Sequence, residues 1–165
     1  MKGARLLGHP VHPMLTVFVL GMLISAALFD LFYVITHDAS WPPMAYWNIG
    51  VGVPVGLIAA VFGVWDWLTL PAGSRPRTVG SWHGGVNLTM LLLFGSSWML
   101  RRGQPDQIPG AAALTLSFAA ALLAAVGTWL GVLLVERHGV GDNLTPPLAE
   151  ASPEQRASSR TRRGE

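Results

Sequence analysis

The chain has 165 residues, 51% of them apolar and 12% charged, with a net charge of +2 and a positive mean hydropathy. A soluble domain carries roughly 25% charge, so this surface cannot be wholly wetted, and the small net charge argues against nucleic acid as a main partner. With no cysteine, disulfides, thiolate metal sites, iron–sulfur ligation and covalent c-type haem are excluded.

The first motif is "GHPVHP" at residues 8–13. A residue before proline is driven towards extended geometry, so His9 and His12 are expected outside a helix that Pro13 opens. In an extended stretch with three residues per turn the two rings point the same way. An apolar run then begins at Met14. Lys2 and Arg5 give it a basic front, but it is longer than a signal-peptide core and ends in no small-residue cleavage site, so a retained helix is expected.

Crossing a bilayer takes about 20 mostly apolar residues in a helix. Four stretches meet that length, at about 14–36, 47–70, 80–100 and 111–136. The first carries Asp30, the second Asn48 and Asp66, and the third His83 and Asn87, while the fourth is uncharged as far as Val135. None alternates with period two, so helices rather than barrel strands are expected. Proline- and glycine-bearing links at 37–46, 71–79 and 101–110 stop the helices. Links this short favour antiparallel neighbours. The expected fold is all-α: an integral membrane four-helix bundle, up-down-up-down, over residues 1–138.

Nine of the eleven Lys and Arg residues fall at one end of this threading and two, Arg101 and Arg102, at the other. The positive-inside rule then places both termini in the cytoplasm of a bacterial inner (plasma) membrane. The segment 139–165 is rich in Pro, Ser, Arg and Glu and is expected to be a disordered cytoplasmic tail. Its Arg160–Arg163 cluster suits anionic headgroups.

Ionisable groups inside membrane helices are rare and tend to face the bundle interior. Counted from these helix ends, Asp66 and His83 lie at similar depth, and His9 and His12 join them from the same side. Asn87 follows His83 by one turn and shares its face. Asp30 lies far from this level, and its expected partner is Arg101, Arg102 or Asn48. Gly52, Gly56, Ala60 and Gly63 form a small-residue stripe suited to close helix packing, within the bundle or across a dimer.

The ordered set "GHPVHPML", Asp30, "GVWDWLTL" and "HGGVN" resembles a bacterial membrane family catalogued as domain of unknown function 2231, over roughly residues 7–135. Relatives in that family are sometimes joined to Rieske or cytochrome c modules, which implies electron-transfer proteins as partners. The matching positions are His9, His12, Asp30, Asp66, His83 and Asn87.

Three functions remain open. In a haem b protein, His83 with His12 or His9 would supply the axial imidazoles, and Asp66 or Asn87 would orient a ligating ring. In a divalent-metal site, His9, His12, Asp66 and His83 would be the ligands. In a structural or accessory component, the same residues form a polar layer that locks the bundle or a homo-oligomer in the lipid bilayer. No nucleophile or substrate pocket is readable, so no catalytic residue is assigned.

Overall fold

The computed structural model describes the backbone of residues 5–6 and 9–138 and the side chains of residues 11–136. The tail from 139 onward and the side chain of His9 lie outside the described residues. Arg5–Leu6 (β1) and His9–Pro10 (β2) pair as a two-residue antiparallel bridge. Four helices follow: α1 (Val11–Thr36), α2 (Trp41–Leu68), α3 (Arg75–Arg101) and α4 (Ala111–His138). A single 3-10 turn at Pro105–Gln107 lies between the last two.

The helices stand where the apolar runs are, but three of them begin earlier than expected. His12 is inside α1 rather than before it. Pro13 still falls in the first turn, where backbone N–H groups have no helical acceptor and a missing one costs nothing. Pro42 and Pro43 open α2 instead of breaking the chain before it. Ser74 caps α3, its hydroxyl accepting from the Arg77 N–H, with Pro76 in the first turn. At its far end α1 stops at His37, which takes a left-handed conformation and donates its N–H to the Tyr33 carbonyl. The turn that follows is closed by the Ser40 N–H on Asp38 Oδ1, which holds this exposed carboxyl below its usual pKa.

Among the described residues, three stretches are long and apolar enough to cross a membrane: Val11–Thr36, Trp41–Leu68 and Pro105–Glu136. The expectation of four comparable spans is therefore narrowed. At 27 residues, α3 is about 40 Å long, enough to cross, but it carries Arg75, Arg77, His83, Asn87 and Arg101. Of these, His83 meets the Gly127 carbonyl of α4 and Arg101 meets Asp30 of α1, while Arg77 donates to the Leu70 carbonyl beyond the end of α2.

The two most extensive packings are α1 on α2 and α3 on α4, and α2 against α3 joins the hairpins more closely than α1 against α4. Val19, Leu23, Ile49, Met90, Leu91, Phe94, Ala120 and Ala124 form the core. The small-residue stripe of α2 is spent inside the bundle. A Cβ on Gly52 would sit 2.8 Å from Leu23 Cδ2, and one on Gly63 would sit 2.8 Å from His12 Cε1. Trp47, Trp65, Trp82 and Trp129 are outward and exposed, as interfacial anchors are.

The two hairpins repeat one another. Buried Val19, Leu23, Ala26 and Asp30 of α1 correspond, 71 positions on, to buried Met90, Phe94, Ser97 and Arg101 of α3. By a second constant shift, buried Ala45, Ile49, Gly56 and Ala59 of α2 correspond to Ala113, Ser117, Ala124 and Gly127 of α4. His12 corresponds to His83, and these two touch; Asp30 corresponds to Arg101, and these two touch. A residue that meets its own equivalent lies on a two-fold axis. Both contacts therefore mark one approximate axis along the bundle, with about 27 Å of helical rise between them.

Candidate functional site

At one end of that axis, Asp30 and Arg101 are fully buried. The Arg101 guanidinium donates to both carboxylate oxygens, at 2.6 and 2.7 Å, and to Ser97 Oγ at 3.0 Å. Ser97 Oγ in turn donates to the Ala113 carbonyl of α4 at 2.7 Å. Of the three partners expected for Asp30, the structure selects Arg101. Arg102 turns outward over the Trp98 ring instead. A bidentate carboxylate–guanidinium pair is the strongest arrangement these groups make, and it is the one that suits a buried charge.

At the other end, each imidazole is tied to the second helix of its own hairpin. His12 Nδ1 lies 2.8 Å from the Ala59 carbonyl, and His83 Nδ1 lies 3.0 Å from the Gly127 carbonyl. A carbonyl accepts only, so each Nδ1 carries the proton and donates. Four residues past each carbonyl stands a glycine, Gly63 or Gly131, whose missing side chain makes room for the ring edge. The turn after each histidine repeats as well: Thr16 Oγ1 donates to the His12 carbonyl and Asn87 Nδ2 to the His83 carbonyl, both at 2.8 Å. The ring centroids are 6.3 Å apart and the planes nearly perpendicular, at 85°.

Asp66 is placed differently from the expectation. Because α3 starts at Arg75 and α2 ends at Leu68, His83 is about 12 Å into its helix while Asp66 is about 3 Å from the end of its own. Asp66 is half-buried and has an interaction of its own. It lies seven residues, about 10 Å of rise, beyond the carbonyl that holds His12. Beside it, Trp67 Nε1 reaches the Arg77 carbonyl and Ser81 Oγ at 3.1 Å each, under the Arg77 guanidinium. Trp65 points away from the bundle and is exposed.

Among the described residues, no three His, Cys, Asp or Glu side chains gather as a metal site. Of the expected ligand set of His9, His12, Asp66 and His83, the structure brings the rings of His12 and His83 together, sets Asp66 near the end of α2, and leaves the side chain of His9 outside the described residues. The sequence reading missed the roles of Gly63, Gly127 and Gly131, and the Ser97 link. The signal for them was the equal five-turn spacing of His12 to Asp30 and His83 to Arg101.

His12→Ala and His83→Ala each remove one inter-helix hydrogen bond, and such bonds in membrane proteins average about 0.6 kcal/mol. Each variant is expected to unfold slightly earlier in a detergent denaturation series. Because the rings meet, the double variant is expected to depart from the sum of the singles.

No curated protein and no solved structure matches the chain. The model of one family does match, over residues 8–144, which include both imidazoles, both glycine seats and the buried ion pair. The chain belongs to that family, described as predicted membrane protein, DUF2231.

Proposed function

We propose that the chain is a structural or accessory component of a bacterial inner membrane, with both termini in the cytoplasm and the histidine end of the bundle facing the cytoplasm. One observation carries this reading. The polar layers at the two ends close on other helices of the same bundle, through Asp30–Arg101–Ser97–Ala113 and through His12–Ala59 and His83–Gly127. Between them lies an apolar core that includes Leu23, Leu91 and Phe94. A conduit needs polar or water-lined walls through its length, whereas the described core between the layers is formed by apolar side chains. The two layers stand about 27 Å apart by helical rise, close to the roughly 30 Å hydrocarbon thickness. Each pair thus sits near one boundary of the bilayer. The lysine and arginine excess at the histidine end supports the orientation.

Two measurements test the reading. Reporter fusions are expected to place the tail after residue 138 and the 102–110 link on opposite sides, with the tail inside. Vesicles holding the purified chain are expected to pass protons and small ions no faster than empty vesicles. A flux well above empty vesicles that His83→Ala abolishes would overturn the structural role.

A further inference from the structure

The two-fold repeat puts His12 and His83 on one axis, and that placement has a chemical use beyond clasping helices. We propose that the two imidazoles hold a single transition-metal centre on the axis through their Nε2 atoms, taking up two opposed coordination positions. The chemistry is that of an iron porphyrin or of a lone copper(I)-type cation, each of which is satisfied by two imidazole nitrogens in line.

Three observations support this. First, both rings are anchored at Nδ1 on a backbone carbonyl, 2.8 and 3.0 Å away. Such an anchor fixes the tautomer and leaves the lone pair on Nε2, the arrangement that metal-ligating histidines adopt. The Asn87 amide passes within 3.4 Å of His83 Nε2, but its short bond, 2.8 Å, goes to the His83 carbonyl. Second, the spacing fits. A metal–nitrogen bond of about 2.0 Å and the ring's own half-width put two opposed imidazole centres about 6.3 Å apart, against about 5 Å for two corners of a tetrahedron. The observed separation is 6.3 Å. Third, the pair by itself suits these two chemistries: a porphyrin iron brings four nitrogens of its own and copper(I) accepts two, whereas tetrahedral zinc needs ligands beyond His12 and His83.

The glycines complete the seat. Gly63 and Gly131 lie against the Cε1 edges of His12 and His83, where a Cβ would come within 2.8 and 3.1 Å. Each hairpin therefore presents its imidazole in the same way, and an atom on the axis meets two equivalent nitrogens.

The purified full chain in detergent, titrated separately with hemin and with silver(I) as a redox-inert stand-in for copper(I), tests the site. A porphyrin centre predicts saturation at one hemin per chain, with a six-coordinate low-spin spectrum that sharpens on reduction. A lone cation predicts saturation at one silver per chain instead. In either case His12→Gln and His83→Gln, which remove the imidazole nitrogens while keeping a polar side chain, are expected to weaken binding by about 10-fold or more. With hemin, each should also abolish the six-coordinate spectrum. Absence of saturation with both probes, or binding that persists unchanged in the His12→Gln/His83→Gln double variant, overturns the proposal. Neither outcome bears on the clasp, which the denaturation and flux measurements test separately.

Discussion

Arg101→Met is expected to destabilise the bundle by about 3–5 kcal/mol, because it leaves the Asp30 carboxylate buried with its partner gone. Both side chains are fully enclosed, so no water can replace the guanidinium without opening the α1–α3 contact. The variant is expected to be recovered in low yield and to unfold well below the parent in a detergent melt. The paired change Asp30→Leu/Arg101→Met is expected to restore the melt to within about 1 kcal/mol of the parent or above it, since replacing a buried ion pair with apolar groups is often neutral or stabilising. A double variant no better than Arg101→Met alone would mean that the pair's geometry, and not its burial, holds the two hairpins. Ser97 limits how complete the rescue is, because it loses the Arg101 Nη2 donor yet keeps its own bond to Ala113.

The second large effect is expected at Gly56. A Cβ there would sit 2.5 Å from Leu91 Cδ2 and 3.3 Å from Val19 Cγ1, both in the core. Leu91 is 4% exposed, so its methyl groups have little room to swing. Gly56→Val is expected to cost about 1–3 kcal/mol or more from overpacking, read as a lower unfolding midpoint. Adding Leu91→Ala vacates the volume that the valine needs. In a double-mutant cycle the pair is expected to be less destabilised than the sum of the singles by about 0.5–3 kcal/mol. The α4 equivalent of Gly56 is already alanine, Ala124, so the same fold accommodates a Cβ at the matching place when the facing side chain is arranged for it.

The helices, and the three candidates among which Asp30 finds its partner Arg101, were legible because both rest on strong local constraints. A run of 20 apolar residues has few other fates than a spanning helix, and a lone acid within one seeks a nearby base. The depth of Asp66 was not legible, because it depends on helix ends and those ends turn on proline. Pro42, Pro43 and Pro76 read as interruptions in one dimension, yet in the first turn of a helix proline is an initiator. The same ambiguity hid the position of His12. Family resemblance was readable from ordered motifs, whereas the repeat left little trace beyond the equal His12–Asp30 and His83–Arg101 spacing, because it conserves burial and role more than residue type. Leucine answers phenylalanine at 23 and 94, glycine answers alanine at 56 and 124, and aspartate answers arginine at 30 and 101. Among the residues of the histidine end, the histidines and the glycines that seat them, Gly63 and Gly131, recur as themselves.

The buried ion pair also sets a timetable for biosynthesis. Asp30 leaves the ribosome 71 residues ahead of Arg101, which at about 5–20 residues per second is roughly 4–14 s. During that interval the first helix carries an uncompensated acid whose release into hydrocarbon costs up to about 3 kcal/mol. The first hairpin is therefore expected to keep Asp30 at the headgroup level until the third helix delivers its arginine. Assembly is then expected to end in a docking of two hairpins, the chain entering the bilayer as a pair of halves instead of one helix at a time.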